Sequence, residues 1–425
     1  MVRKKDASQS HTHATHFGCL CHIDAERKKA WLLCGPRISR RWLRSFDRGF
    51  STRSTEQEIT GAVAVRNTVM SVRFAATTMS APPLAPRAPQ QWPEREGAIH
   101  FYDSAAGRWD KSASGGAPTG AEQSAAPIES FALVTWNVDF MESHIDRRLD
   151  AALTYLERVV LPKNDHPTIV LIQEFDWEAF PLLLSRPFIQ DSYALTDISS
   201  ESWIHTESGY GTVTLVPLTM LTNVRRVHRI GMPNTTMYRD ALYVDLVVAP
   251  GRTLRIANVH LESLRGRSDA ARIKQLEAVK AFIDSDGVHA AVVAGDMNPI
   301  GPDDAGLPAR FNFRDAWIEC RGSPVRSTSL EGKGNTDIDT SVQEDPESHT
   351  WGYQPTTRFP PRRMDKILLA GAAKATSIEV IGKGLTIDVP FEESSETEEE
   401  FELDQEDLTK WVSDHSAVLA TISIQ

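Results

Sequence analysis

The stretch Ala290-Ala291-Val292-Val293-Ala294-Gly295-Asp296-Met297-Asn298 is an apolar run of strand length that ends in a glycine and then offers a carboxylate and a carboxamide. Val and Ala throughout the run predict a strand buried on both faces. The glycine predicts a turn at the sheet edge, which leaves Asp296 and Asn298 on the rim of a rigid scaffold. A carboxylate there can take a proton from water or hold a metal-bound water, although Asp and Asn also close ordinary strands as Asx turns. The same construction recurs. Apolar runs end in Asn137, in Gln173-Glu174 and in His260, Asp365 opens another, and Asp414-His415 precedes the last one. One polar strand end is a turn; six of them, carrying Asn, Glu, His, Asp-Asn, Asp and Asp-His, describe a site.

Glu174, with Asn137 and Asp414 beside it, supplies hard oxygen ligands of the kind that suit Mg²⁺, with Mn²⁺ as a substitute. No Cys or paired His stands at ligand spacing in the core, which disfavours zinc. The chemistry such a set supports is hydrolysis of a phosphate ester. Asp296 would orient and deprotonate the attacking water, with Asn298 holding it in line. His260 and His415 would donate to the non-bridging oxygens as charge builds there, and Asp365 would fix His415 as the imidazolium.

These positions need elements to hold them. The apolar spacing of Leu149, Leu153, Leu156 and Val160 predicts a helix over 146–160 that Pro162 ends. A second helix runs from a Ser268 cap to Phe282, with Ile273, Leu276, Val279 and Phe282 on one face. Strands are expected over 212–221, 238–249 and 254–260, the last two joined at Pro250-Gly251 as a hairpin. A short strand-like pair at Ile99–Tyr102 flanks Gly107-Arg108-Trp109, and a Gly/Ser/Ala linker follows from Ser112 to Ala126. Many strands with few helices between them predict an α+β sandwich of two sheets with helices outside.

The chain has 425 residues, 41% of them hydrophobic, enough for a sizeable core. Residues 1–95 read as a disordered basic and Pro-rich region, and 96–425 as the folded domain, with a loop at 321–349 and an acidic insertion at 390–408. The first 95 residues hold 16 Lys and Arg against 7 Asp and Glu, leaving 30 basic against 50 acidic in the remainder. Arg37, Arg40, Arg41, Arg44, Arg48 and Arg53 fit a mitochondrial transit peptide or a plain basic tail. The tract from His11 to His22 lacks the paired Cys spacing of a zinc module. Four Cys, unevenly placed, make no disulfide framework and point to an intracellular, reducing compartment. No apolar run reaches the roughly 20 residues of a membrane span.

In order, Trp136-Asn137, Gln173-Glu174, Asn258-Val259-His260-Leu261-Glu262-Ser263, Gly295-Asp296-Met297-Asn298, Met364-Asp365-Lys366 and Ser413-Asp414-His415 resemble the endonuclease/exonuclease/phosphatase superfamily. The resemblance covers about residues 131 to 425 and implies a DNase I-like four-layered α/β/β/α sandwich with Mg²⁺-dependent phosphoesterase activity. Thr135–Asp139, Ser208-Gly209-Tyr210, His260–Gly266, Gly306-Leu307-Pro308 and Thr350-Trp351 look most like its 5′-tyrosyl-DNA phosphodiesterase branch (type 2), which removes topoisomerase 2-derived tyrosine adducts in DNA repair. That likeness implies a groove for single-stranded or frayed DNA 5′ ends lined by Tyr210, Ser263, Arg265 and Trp351, with Arg239 and Arg272 as further phosphate contacts. It implies a monomer and, as compartment, the nucleus ahead of mitochondrion or cytoplasm. Where the branch carries a basic residue after Asn298, this sequence has Pro299-Ile300. Enzymes of the superfamily acting on RNA, inositol phosphates or sphingomyelin share the catalytic residues. A non-catalytic relative would be expected to have lost Asn137, Glu174, Asp296 or His415, and all are present.

Overall fold

In a computed structural model, the residues described are 92–112, 126–285, 287–322, 344–389 and 409–425. The His/Cys tract, the arginine-rich stretch, most of the linker, residues 323–343 of the expected loop and the acidic insertion lie outside them. The strands are β1 (Glu94–Glu96), β2 (His100–Asp103), β3 (Arg108–Lys111), β4 (Ser130–Asn137), β5 (Thr168–Asp176), β6 (Tyr193–Leu195), β7 (Tyr210–Pro217) and β8 (Val224–Gly231). They continue as β9 (Asp240–Ala249), β10 (Arg252–His260), β11 (Val288–Asp296), β12 (Arg314–Asp315), β13 (Asp365–Gly371), β14 (Ala373–Ile381), β15 (Thr386–Asp388), β16 (Thr409–Trp411) and β17 (Ala417–Ile424). The α-helices are α1 (Ile145–Tyr155), α2 (Phe180–Ser185), α3 (Pro187–Ser192), α4 (Arg267–Ile283), α5 (Leu307–Arg310) and α6 (Ala316–Arg321).

Two mixed sheets pack face to face. One has the order β1-β8-β9-β10-β11-β13-β12, the other β14-β17-β4-β5-β7-β6-β2-β3. Alternation along each strand sends one set of side chains between the sheets and the other outward. Phe131, Leu133, Ile169 and Leu171 meet Ile256, Val292, Ile367 and Leu369 in the central layer. Val134, Val170 and Ile172 face outward onto Leu149, Leu153 and Leu156. Val259, Ala291, Val293 and Leu368 do the same against Leu276, Val279 and Ile283 of α4. This is the expected four-layered sandwich: each sheet needs both faces covered, and α1 and α4 supply the outer cover.

Several boundaries move for local reasons. The chain is already built into the domain before residue 96, because Trp92 packs on Phe282 and β1 pairs with β8. The strand expected to reach Leu221 stops at Pro217, and residues 218–223 turn as a 3₁₀ segment. The strand expected from Tyr238 starts at Asp240, since Tyr238 has φ +59, outside the strand region. Ser268 lies inside α4; the cap is Gly266, whose N–H donates to the Asp269 carboxylate. The first helix becomes a π segment over Leu156–Val160. The hairpin at Pro250-Gly251 joins β9 to β10 as expected.

Gly295 does not turn the chain. β11 continues through it to Asp296, and Gly295 has φ +143 with its neighbour across the ladder pressed close. A Cβ built there would lie 1.8 Å from the Val259 carbonyl oxygen. Glycine is required because the parallel strands β10 and β11 close together at their ends. Gly295→Ala is therefore expected to lower the urea unfolding free energy by roughly 3 kcal/mol or more. A wild-type midpoint in that variant would show that the strands part at no cost.

On the outer face of β8, His228 is fully buried and stacks on Tyr243 at 4.9 Å, with neither ring nitrogen bonded. Burial, with help from Arg226 and Arg255 against Asp245 and Glu94, holds its pKa down to about 4. The unfolded imidazole titrates near 6.5, so the unfolded state binds the proton first. Stability from this residue is complete above pH 6.5 and falls as pH drops toward 4, by roughly 3 kcal/mol. His228→Phe keeps the stacked ring and is expected to remove that share of acid sensitivity. Urea titrations of both proteins between pH 7 and 4 measure it; parallel curves would refute it.

Candidate active site

Strand register assembles the centre. β10 and β11 run parallel with His260 opposite Asp296, and β11 and β13 run antiparallel with Asp296 opposite Asp365. Three adjacent strands therefore end in one row of His, Asp and Asp. The other sheet adds Asn137 from the end of β4 and Glu174 from β5. Glu174 has φ +54 and stands where β5 slips register against β7 between Ile172 and Phe175. Such a bulge re-aims the side chain that an ordinary strand would point elsewhere. Ser413-Asp414-His415 enters just before β17, its Ser413 Oγ donating to the Asn137 carbonyl at 2.6 Å.

Asp296 lies at the middle and is 2% exposed. Its Oδ2 accepts from Asn137 Nδ2 and Asn298 Nδ2, each at 3.2 Å, and faces His260 Nε2 at 3.3 Å. Its Oδ1 accepts from the Asn298 backbone N–H at 2.9 Å. Burial alone would raise its pKa, but the charge of His415 and the hydrogen bond from His260 outweigh it and hold Asp296 well below the usual carboxylate range. Asn298, with φ +44, is fixed by a second bond to the Leu261 carbonyl at 3.1 Å.

His415 Nδ1 meets Asp365 Oδ2 at 2.7 Å, and its Nε2 faces Asp296 and Asp414 at 3.8 Å each. Burial pulls the imidazole down, yet the charges of Asp365, Asp414 and Asp296 push it well above 6.5. Burial also lifts Asp365 against the pull of His415, so the two groups compete for one proton. Two more carboxylates surround the imidazole, which puts the proton on His415. Asp414 Oδ2 accepts from the Trp351 indole at 3.0 Å, which ties the expected groove residue Trp351 to the centre.

His260 is in the opposite state. Arg239 reaches its Nδ1 at 2.8 Å, and burial together with that charge lowers its pKa to about 4. A guanidinium can only donate, so Nδ1 is the acceptor and the proton sits on Nε2, facing Asp296 and, at 3.6 Å, Glu174. Arg239 lies 5.3 Å over the Tyr210 ring, and Tyr210 stacks on Phe140 at 3.9 Å and donates to the Met237 carbonyl. Tyr210 and Arg239 thus adjoin the centre through His260 rather than in the open.

Glu174 accepts from Asn137 Nδ2 at 3.2 Å. Burial, then the nearby charges of Asp139 and Asp414, push its pKa up to about 8. Asn137 Nδ2 bridges the Glu174 and Asp296 carboxylates, and Asp139 and Asp414 add negative charge nearby, a hard-oxygen set that fits a divalent cation. Asp296, Asp365 and His415 also place ligand atoms within 4.8 Å of one another. That group fits less well, because His415 Nδ1 and its proton are already committed to Asp365.

Not every expected residue comes in. Ser263 is half-buried and Arg265 exposed beyond the end of β10, and neither makes a hydrogen bond or ion pair to the centre among the described residues. Arg272 is no phosphate contact: it is fully buried, pairs with Asp304 at 2.8 Å and with Asp269, and donates to the Glu262 and Leu264 carbonyls. Its position in the amphipathic pattern of α4 could not separate a buried ion pair from a solvent-facing cation. Sequence reasoning also passed over Arg148, Phe140 and Glu262. Arg148, 1% exposed, donates to the carbonyls of Val138, Asp139, Glu142, Ser143 and Val412 and so ties the turn after Asn137 to the strand before Asp414. Glu262 accepts from Thr235, Thr236 and Gln275 and holds the turn that carries Arg239. Glu262 stood in a quoted motif; nothing in the sequence marked Arg148.

No curated protein matches the chain. Among solved structures it resembles TDP2 from D. rerio complexed with single strand DNA product (19% identity, 69% of this chain and 99% of that one, TM-score 0.45). It also resembles TDP2 from C. elegans (18%, 69% and 75%, TM-score 0.46) and sphingomyelinase C from Streptomyces griseocarneus (15%, 69% and 99%, TM-score 0.46). Likenesses this distant do not separate one of these activities from another. The family profile does more: Endonuclease/Exonuclease/phosphatase matches residues 134–415, more than half of the chain and every strand end that builds the centre. The chain belongs to that family, whose members are phosphoester hydrolases and typically depend on a metal ion.

Proposed function

We propose that this chain hydrolyses phosphodiesters at DNA 5′ ends, with a 5′-phosphotyrosyl end as its substrate and Mg²⁺ as its metal. The observation that carries the hydrolytic reading is the buried Asp296 anion held by Asn137, Asn298 and His260 opposite the His415–Asp365 pair. The aromatic groups beside it, Trp351 on Asp414 and Tyr210 on Phe140, support an end-binding site, since ring faces stack on bases.

Glu174, Asn137 and Asp414 would hold the cation, which supplies Lewis-acid polarisation of a phosphoryl oxygen. Asp296 orients the attacking water through its oxygens and Asn298 keeps that acceptor in place. The donors that stabilise Asp296 also make it a reluctant base, so it takes the proton late, as the phosphoryl bond forms. His415, protonated and braced by Asp365, donates to the oxygen on which charge builds. His260 offers a neutral N–H on the other side of Asp296. Arg265 and Ser263 would meet the strand farther out. An acidic domain with a few cations near its centre suits a short single-stranded end better than a long duplex footprint. Work on DNA ends makes the nucleus the expected compartment, and the described residues include no helix long and apolar enough to cross a membrane.

The test is hydrolysis of a 5′-phosphotyrosyl oligonucleotide with Mg²⁺, run beside poly(A), an inositol phosphate and sphingomyelin. Asp296→Ala is expected to lose on the order of 10³-fold or more in kcat/KM. Preference for another member of the panel would overturn the substrate, and an active Asp296→Ala would overturn the mechanism. Glu174→Gln should raise the Mg²⁺ concentration for half-maximal rate by about 10- to 100-fold. An unchanged metal dependence would remove Glu174 from the ligand set.

A further inference from the structure

Beside the centre lies a void of about 20 Å³, lined by Trp203, Arg239, His205, Tyr238 and His260 among others. That is room for one water or one ligand oxygen. Two of its lining side chains carry donors that meet no acceptor among the described residues: Trp203 Nε1 and Arg239 Nε are both buried and unbonded. Trp203 is 2% and Arg239 6% exposed. Among the described residues no carboxylate comes within ion-pair distance of Arg239; its bonds go to His260 and the Met237 sulfur. A buried guanidinium without a carboxylate and a buried indole N–H without an acceptor are both costly, and an anionic oxygen would satisfy both. Tyr238 frames the mouth against His205, ring centroids 5.5 Å apart, and holds φ +59, a backbone conformation an aromatic residue rarely adopts.

We infer that this void is a subsite for a second phosphate of the substrate, distinct from the one hydrolysed. The His260 ring separates the two positions. Its Nε2 edge faces Asp296 and Glu174, while its Nδ1 edge faces Arg239. An oxygen held by Arg239 Nε and Trp203 Nε1 therefore belongs to a group on the far side of the imidazole from the attacking water. A polynucleotide strand supplies such a group, and the exposed Tyr238 ring offers a stacking face for the nucleoside that bears it. A single phosphodiester such as sphingomyelin has no second phosphate to place there. The inference deepens the proposed function and rests on it for the identity of the strand.

The test is binding rather than turnover, with metal chelated, of 5′-phosphorylated trithymidylate and of thymidine 5′-monophosphate, by fluorescence titration. Trp203→Phe keeps the ring and removes only the N–H. It is expected to weaken trinucleotide binding about tenfold, the worth of a hydrogen bond to a charged group, and to leave the mononucleotide unchanged. Tyr238→Asn, whose short side chain tolerates the left-handed backbone, is expected to act in the same direction and stands in if Trp203→Phe fails to fold. Equal losses on both nucleotides would mean a merely structural role, and no loss on either would mean a buried water only; each overturns the subsite. Inositol 1,4-bisphosphate binding as tightly as the trinucleotide, with the same dependence on Trp203, would overturn the strand. Trinucleotide binding as expected without cleavage of a phosphotyrosyl end would sink the proposed function and leave the subsite standing.

Discussion

One buried carboxylate makes the rest of this structure necessary. Removing Asp296 from water without compensation would cost several kcal/mol, a large part of any domain's net stability. The compensation comes from Asn137 on β4, His260 on β10, Asn298 beyond β11 and the charge of His415 ahead of β17. These segments belong to both sheets, so the anion is stable only when the sandwich has closed with its strand ends level. Gly295 is part of the same requirement, because only a residue without a Cβ lets β10 and β11 approach closely enough to bring His260 opposite Asp296. The hydrolytic centre and the closure of the fold are one event.

Around that anion three basic groups stand in different states, and their neighbours decide which. His415 faces Asp365, Asp414 and Asp296 and keeps its proton; His260 faces Arg239 and gives its second proton up. Residues of one type are thereby split into a charged donor and a neutral donor on two sides of one carboxylate, a division of labour set by environment rather than by the side chain itself. Burial lowers His260 first, and the charge of Arg239 adds to it. Arg239 in turn follows the turn held by Glu262, so a carboxylate inside that turn helps to determine a tautomer at the centre.

Strand ends were legible because burial on both faces writes a nearly continuous apolar run, and a polar residue breaking it is conspicuous. Asn137, Glu174, His260, Asp296, Asp365 and His415 all stood out on that ground, and the structure brings them together. The pattern does not carry the geometry of the last residue. Gly295 reads equally as a turn or as a close approach, and only the partner strand decides. Glu174 would point along the strand's ordinary alternation without the slip at residues 172–175 that re-aims it. Arg148 and Arg272 were illegible for a different reason. Both are charged residues at helical positions, where the default expectation is solvent, and both are instead buried: Arg148 among backbone carbonyls that include Val412, Arg272 against Asp304 and the Glu262 and Leu264 carbonyls. A buried arginine is specified by its acceptors, and backbone carbonyls leave no trace in the residue types.

An acidic phosphoester hydrolase must attract an anionic substrate against its own net charge. From residue 96 onward the sequence carries 20 more carboxylates than cations, so its far field repels a polyanion. Attraction must then be short-ranged and come from cations near the centre, and Arg239 is suited to this. It is held by a histidine and a tyrosine face instead of a carboxylate, so its charge is not cancelled where it lies. Coulomb energy near such a partly desolvated guanidinium is several-fold larger than at the surface, which lets one or two interior cations do what a surface patch does for proteins that bind duplex over many phosphates. On the proposed function the cost is reach: a field confined to the pocket would favour a chain end that can enter it over a continuous duplex that cannot.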